Sequence, residues 1–372
     1  MRITIRDVRS GFEARSGGAR QLVQIHGHEQ RMLYGLKSVE KLLANGGKPL
    51  LMLSGCGWNC SGSGQRPVGL MRELALLGYA AIYHSTLERE TRLVDNVLVI
   101  DRVGLDAAMP VLLKERGSVI STLPTWMPLV RSFISAGWQF VYDLIDDWDE
   151  FAAAGDLNKS ALQNEREMIT SADVVTCSAP RLVCRASALG AKEPRLILNG
   201  GPAGPLPVPE DPPADMLTEG VRAVYSGYLF GSWFDWNILN HLRDTPGIST
   251  TVVGKYENVQ QAPSLRFVNE KPYAEAMRYV ACGHVGIIPF RGKLCYSVDP
   301  IKAYDYWAGG LWCVSTPDVE PLAGRPYVIL ARREEFPEAV LAAAEKKDRP
   351  TAKFIAANSW KARAKKLAKE LC

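Results

Sequence analysis

The sequence predicts an α/β protein built as two parallel-sheet halves, and three observations carry that reading. Short apolar runs alternate with amphipathic stretches from Lys48 to residue 198. The alternation stops in a segment dense in proline and glycine, then restarts at residue 222. At 372 residues the chain is long enough for two domains of ordinary size. Strand–helix alternation calls for a parallel sheet with helices on both faces.

In order, residues 49–53, 80–84, 97–100, 118–121, 139–144, 174–177 and 195–198 read as strands, because each is a short apolar run bounded by polar or turn residues. Helices are expected between them, including 68–77, 127–136 and 159–171. The run from Gly200 through Pro213 holds too many prolines for a helix or a central strand, so residues 201–219 read as an interdomain linker. The second half offers strands at 222–226, 249–253, 284–289, 311–315 and 327–330, then closing helices at 334–346 and 351–370. The last helix carries Phe354, Ile355, Trp360, Leu367 and Leu371 near one face. Residues 1–47 precede the alternation and read as a basic N-terminal extension.

Composition narrows the function classes. Apolar and charged fractions are those of a soluble globular chain. No uninterrupted apolar run reaches the roughly 18 residues that span a bilayer. The opening Met1–Asp7 lacks the apolar core of a signal peptide, so a cytoplasmic location is expected. Eight cysteines without a Cys-x-x-Cys pair, and only five histidines, point to reduced buried thiols rather than zinc ligands. Net charge is +4, but residues 1–48 alone hold nine basic and four acidic side chains. Such a segment suits an anionic surface, either membrane headgroups at the inner face or, less favoured, nucleic acid. A solvated arm without a partner is the simpler alternative.

The most informative stretch begins after the apolar strand ending at Pro289. Arg291 and Lys293 follow it; Pro300 then opens a helix with Lys302 in its first turn and Asp305 one turn on. A helix N-terminus offers free N–H groups and a positive dipole end, which attract phosphate. A lysine adds a full charge there, and a carboxylate one turn deeper can accept hydrogen bonds from sugar hydroxyls. On an isolated helix, a solvated lysine and a capping aspartate are the alternative.

The segment Asp299-Pro300-Ile301-Lys302-Ala303-Tyr304-Asp305-Tyr306-Trp307-Ala308-Gly309-Gly310 resembles the donor-site signature of two-domain GT-B glycosyltransferases, Asn-Pro-x-Lys-x-Tyr-Glu-Tyr-x-Ala-x-Gly. Four more blocks follow the same order as in bacterial exopolysaccharide and teichuronic-acid-type members: Trp58 to Gln65-Arg66-Pro67, Val141 to Asp146-Asp147-Trp148, Ala172 to Ser178 with Leu196 to Gly200, and Asn358-Ser359-Trp360. The resemblance implies two Rossmann-like domains facing a central cleft. Residues 48–200 would form the acceptor side, 220–350 the nucleotide-sugar donor side, and a C-terminal helix within 351–372 would cross back to the first domain. It implies a nucleotide-sugar donor, UDP foremost, and a glycan or lipid-linked acceptor, with neither cofactor nor metal. Lys302 would meet the diphosphate and Asp305 the ribose. The donor set would be Gly227, Tyr228, Gly254, Lys255, Arg291, Lys293, Ser297, Asp299, Pro300, Ile301, Lys302 and Asp305. Many retaining members carry two glutamates eight residues apart; Ser297 stands at the first position here, so stereochemistry is not carried over.

The glycine loop Gly55 to Gly64 does not fit a dinucleotide fingerprint: its third glycine would fall at Cys60, and no acid ends the next strand at Tyr83-His84-Ser85. The loop follows the carboxyl end of a strand, where α/β folds bind ligands, so Gly57, Trp58, Gln65 and Arg66 are acceptor candidates, an aromatic face for a pyranose and a fork for an acidic group. A structural turn over a buried tryptophan is the alternative. Asp146, then Asp147, are candidates for the base that deprotonates an acceptor hydroxyl, unless these acids cap the next helix. The Asp147-Trp148-Asp149 spacing matches a metal-binding Asp-x-Asp, but the diphosphate site lies in the other half. Asp143 and Glu320 read as structural. Sugar transfer to modified DNA, or a non-catalytic protein that binds a sugar nucleotide or a partner, are the competing functions.

Overall fold

The computed structural model describes residues 18–59 (side chains from 27), 64–153, 162, 164–229, 233–256 and 259–372. The first half runs α1 (Gly18–Ala44), β1 (Pro49–Ser54), α2 (Arg66–Leu76), β2 (Ala80–Ser85), β3 (Arg92–Val94), β4 (Val97–Ile100), α3 (Arg102–Leu112), β5 (Ser118–Ser121), α4 (Met127–Ser135), β6 (Gln139–Leu144), α5 (Trp148–Ala153), α6 (Glu165–Ser171), β7 (Val174–Cys177), α7 (Pro180–Ala188) and β8 (Arg195–Leu196). The second runs β9 (Val221–Ser226), α8 (Trp236–Asp244), β10 (Ile248–Val253), β11 (Leu265–Val268), α9 (Tyr273–Ala281), β12 (Val285–Ile288), α10 (Ile301–Ala308), β13 (Trp312–Ser315), β14 (Val328–Leu330), α11 (Phe336–Ala344), α12 (Ala352–Ala357) and α13 (Trp360–Leu367).

Two sheets result, ordered β3-β4-β2-β1-β5-β6-β7-β8 and β11-β10-β9-β12-β13-β14. All pairings are parallel except β3 against β4. Strand β1 shows why its sequence is continuously apolar. Leu50 and Met52 enter one core with Val68 and Leu70 of α2, while Leu51 and Leu53 enter the opposite core with Leu105 and Val130. Side chains alternate faces along a strand, and both faces are covered by helices.

Helix α13 returns to the first half, as expected. Ala364 and Leu367 are buried with Val68, Leu70 and Met71. The Trp360 ring lies so close to Gly69 that a Cβ there would come within 2.6 Å of it. The closing helix 351–370 is, however, broken in two: Ser359 Oγ accepts from the Ala362 N–H at 3.2 Å and caps a new helix. The linker packs on the second half, with Leu206 N–H donating to Ala308 O at 2.8 Å and Met216 buried in that core.

The N-terminal extension needs correction over its described part. Helix α1 lies against α3, where Val39 is buried and a Cβ on Gly35 would sit 2.3 Å from Gly104 Cα. Arg31 pairs with Asp101 at the start of α3. This part is a packed layer of the first half, not a solvated arm; residues 1–17 lie outside the described residues. So do 60–63 of the glycine loop and 154–161 and 163 of the stretch before α6, where the expected start of the helix at 159 falls; α6 itself runs from Glu165. No helix among the described residues is long and apolar enough to cross a membrane.

Candidate active site

Ligands of parallel α/β sheets bind beyond the carboxyl ends of the strands, where strand order reverses. Order reverses between β1 and β5 in the first sheet and between β9 and β12 in the second. A cavity opens at each point. One, of about 410 Å³, is bounded by Ser54–Cys56 after β1, Thr122 and Leu123 after β5, and Ile145 and Asp146 after β6. The other, of about 240 Å³, is bounded by Ser226–Tyr228 after β9, Gly254 and Lys255 after β10, and Phe290 after β12. Gln65, Phe290, Ile301 and Lys302 line both, so the two cavities form one crevice between the halves.

Close backbone approach shapes the second cavity. Gly227 and Gly254 have φ of +138° and +155°, and the Gly227 N–H donates to Val253 O at 2.9 Å. A Cβ on Gly254 would lie 1.9 Å from Gly227 O, and one on Gly227 would lie 3.3 Å from Lys302 Cε. Only glycine keeps this floor open.

Pro300 is the N-cap of α10, and Ile301 and Lys302 form its first turn, where N–H groups lack intrahelical partners. Lys302 Nζ sits 4.5 Å from the Phe290 ring centre and 5.2 Å from that of Tyr225. Burial pulls its pKa down to about 8, against the opposing pull of Asp305. Among the described residues, no carboxylate lies within ion-pair distance of it. Asp305, one turn on, is buried and accepts a hydrogen bond from Tyr273 Oη at 2.5 Å. Burial pushes its pKa up to about 7, while the Tyr273 bond and Lys302 pull it back. This half-buried cation and buried acid, aimed into one cavity, suit a ligand that carries an anion and hydroxyls.

Across the crevice, Asp146 is half-buried on the rim of the larger cavity. Burial and the neighbouring Asp147 push its pKa up to about 7, and Arg66 acts in the opposite sense. Such a carboxylate is poised to take a proton near neutral pH.

Several expected site residues are placed elsewhere. Trp58 is fully buried, edge-on to Tyr83 at 5.1 Å, with its backbone N–H donating to Glu88 Oε1 at 2.6 Å. It offers no face to a sugar. Gly57 packs beside Leu87 and Glu88 and lines neither cavity. Arg66 is buried, with Nε and Nη2 both donating to Asp143 at 2.8 Å and Nη1 donating to Asn199 Oδ1 at 3.1 Å. Its fork is committed within the protein, although its edge reaches the larger cavity. Asp147 lies 3.4 Å from Arg185 and accepts from the Glu150 N–H, so it caps α5 instead of serving as a base. Asp149 pairs with the same arginine at 2.8 Å.

Arg291 and Lys293 are exposed and line neither cavity. Gly292, at φ +90°, turns the chain into a 3₁₀ segment, Lys293–Ser297, which buries Ser297. Asp299 reaches the larger cavity, but its carboxylate accepts from the Asn199 N–H and from Tyr304 Oη, each at 2.7 Å. Tyr228 and Lys255 line the smaller cavity as expected, Tyr228 Oη donating to Glu270 at 3.3 Å. Glu320 is structural as read: it pairs with Arg181 at 2.9 Å across the two halves. Tyr273 and Phe290 were missed. Neither belongs to a motif.

Fold and site together define a two-domain α/β protein with its ligand crevice at the facing switch points of two Rossmann-like sheets. No protein-family model matches the chain, and no curated protein matches it. Solved structures do. HepE of Anabaena, in complex with UDP and glucose, superposes with a TM-score of 0.62 at 11% identity, over 87% of this chain and 99% of that one. Sucrose-phosphate synthase from Thermosynechococcus elongatus gives 0.58 at 13% identity, over 87% and 98%. The α,α-trehalose 6-phosphate synthase of Burkholderia multivorans gives 0.54 at 10%, again over 87% and 98%. The chain has the GT-B fold of these glycosyltransferase structures.

Proposed function

We propose that the protein is a glycosyltransferase that moves a sugar from a nucleoside-diphosphate sugar to a hydroxyl of a glycan or lipid-linked acceptor. The observation that carries this is Lys302 in the first turn of α10, with Asp305 in the same cavity and Asp146 on the opposite wall of the crevice. HepE, which shares the fold, is solved with UDP and with UDP-glucose, and this favours UDP as the nucleotide.

In this reading Asp305 accepts a ribose hydroxyl. Lys302 and the N–H groups of α10 face the diphosphate. As the acceptor oxygen bonds to the anomeric carbon, the bond from that carbon to the diphosphate oxygen breaks. The diphosphate leaves with the electron pair, and the positive helix end and Lys302 stabilise its charge. Asp146 takes the hydroxyl proton if configuration inverts. A cation supplied by the protein can fill the place of a metal ion, so the transfer is proposed to be metal-independent. Leu33 and Tyr34 are exposed on α1, where Lys37 and Lys41 are exposed as well, which supports contact of this helix with an anionic bilayer carrying a lipid-linked acceptor.

The test is nucleoside-diphosphate release from UDP-, GDP-, ADP- and dTDP-sugars, with and without lipid-linked and polysaccharide acceptors. Acceptor-dependent release from one donor, unaffected by chelator, is expected. Acceptor-dependent release that disappears with chelator would reject the metal-independent mechanism. Absence of release from every donor would leave the protein a binder and reject the enzyme reading.

A further inference from the structure

The Asp305 carboxylate is not open on both sides. Tyr273 opens α9, directly after Pro272, and its ring packs against the core of the second half. Its hydroxyl donates to Asp305 Oδ1 at 2.5 Å, a short bond of the kind formed to an ionised acceptor. Among the described residues nothing else hydrogen-bonds this carboxylate. Both residues line the smaller cavity, so the pair forms part of its wall.

We propose that Tyr273 is a specificity-determining residue of the donor site: by donating to Oδ1 of Asp305 it takes one acceptor position there and makes Oδ2 the stronger acceptor, so that the two ribose hydroxyls of the nucleotide are read unequally. The inference rests on the donor-site reading. A ribose presents two adjacent hydroxyl donors, and a carboxylate with two open oxygens takes both. Here Oδ1 already holds one donor, the Tyr273 hydroxyl, and a second donor to the same oxygen is held more weakly. The ribose hydroxyl that meets Oδ2 makes the strong bond, and the other meets at most the weakened Oδ1.

Tyr273 also acts on the charge of Asp305. The groups facing that acid are Lys302 on its own helix, Tyr273 from α9, and the Tyr306 hydroxyl, which donates to Ile287 O; Arg72 of α2 acts on Tyr273. The Tyr273 bond favours the ionised acid and opposes the burial that pushes it towards neutrality. Losing that bond moves the acid limb of nucleotide binding to higher pH.

The experiment is calorimetric titration of the full chain with UDP, 2′-deoxy-UDP and 3′-deoxy-UDP, over about pH 5.5 to 8, for wild type and Tyr273→Phe. In wild type, one deoxy form should bind within about threefold of UDP and the other at least about tenfold more weakly. In Tyr273→Phe, both deoxy forms should weaken against UDP, and the acid limb should move up. A wild type that loses about tenfold with both deoxy forms would overturn the inference. So would a phenylalanine variant with unchanged ratios and an unchanged limb. Absence of UDP binding to wild type would remove the donor-site reading, and this inference with it.

Discussion

Asn199 and Asp299, one hundred residues apart in the chain, are joined across the junction of the two halves by a pair of hydrogen bonds. The Asn199 N–H donates to Asp299 Oδ2 at 2.7 Å, and Asn199 Nδ2 donates to the Asp299 carbonyl at 2.6 Å. Arg66, itself clamped on Asp143, donates to Asn199 Oδ1, and Arg363 Nε donates to the Asn199 carbonyl at 2.8 Å. The residue just before the α10 N-cap is thus tied to the first half and to the start of α13.

Removing one member should leave its buried partners unsatisfied. Asp299→Ala orphans the Asn199 N–H and the Tyr304 hydroxyl, and it should cost about 2–4 kcal/mol of stability in denaturant unfolding. Loss of less than about 0.5 kcal/mol would mean that the junction is held by packing instead.

In the proposed mechanism the charge of Lys302 comes at a cost in stability. Its folded pKa, about 8, lies below the ordinary lysine value of 10.5. The unfolded chain therefore binds more protons between those values, and stability should rise as pH increases through that window. Lys302→Met should be at least as stable as wild type at neutral pH while losing about 10²–10³ in transfer rate. A variant both less stable and equally active would contradict the assignment.

The pH dependence of kcat/KM should be bell-shaped. Asp146 becomes a competent base only as pH rises through about 7, and Lys302 loses its charge as pH rises through about 8. Because Asp305 also titrates near 7, Asp146→Asn separates the two acids. It should lower the rate by about 10²–10⁴ and leave nucleotide binding intact. A variant that retains the wild-type rate would place the base elsewhere.

Trp58 and Gly254 should behave as structural positions. Trp58→Ala empties a fully buried site and should cost about 3–5 kcal/mol. Gly254→Ala puts a Cβ 1.9 Å from Gly227 O at φ +155°, and it should impair nucleotide binding and stability together. Unfolding curves beside UDP titrations check both. A Trp58 variant that kept its stability and lost only acceptor affinity would restore the sugar-platform role.

Much of this was legible in the chain because it is local. Strands such as β1 and β4 are apolar on both faces, so a continuous run marks them. The start of α10 announces itself through Pro300, and Lys302 and Asp305 fall in one cavity because their spacing is a single helical turn. What failed depends on distant partners. Arg66 finds Asp143 77 residues away, and Trp58 finds Tyr83 25 residues away. Nothing near either residue signals that its functional face is already covered. Arg291 and Lys293 were misplaced because the turn at Gly292 sets their direction, and β11 was missed because Arg266 interrupts a four-residue strand. The break in the final helix was written in Ser359, which caps a helix as readily as it lies within one.

The most direct test of the donor site is thermal stabilisation of the full chain by UDP, GDP, ADP, CMP and dTDP, with and without chelator, in wild type and Lys302→Ala. A ligand bound only by the folded state raises its melting point. The account predicts a shift with one diphosphate, UDP first, unchanged by chelator and lost in Lys302→Ala. An equal shift in the variant, or none with any diphosphate in wild type, would contradict it.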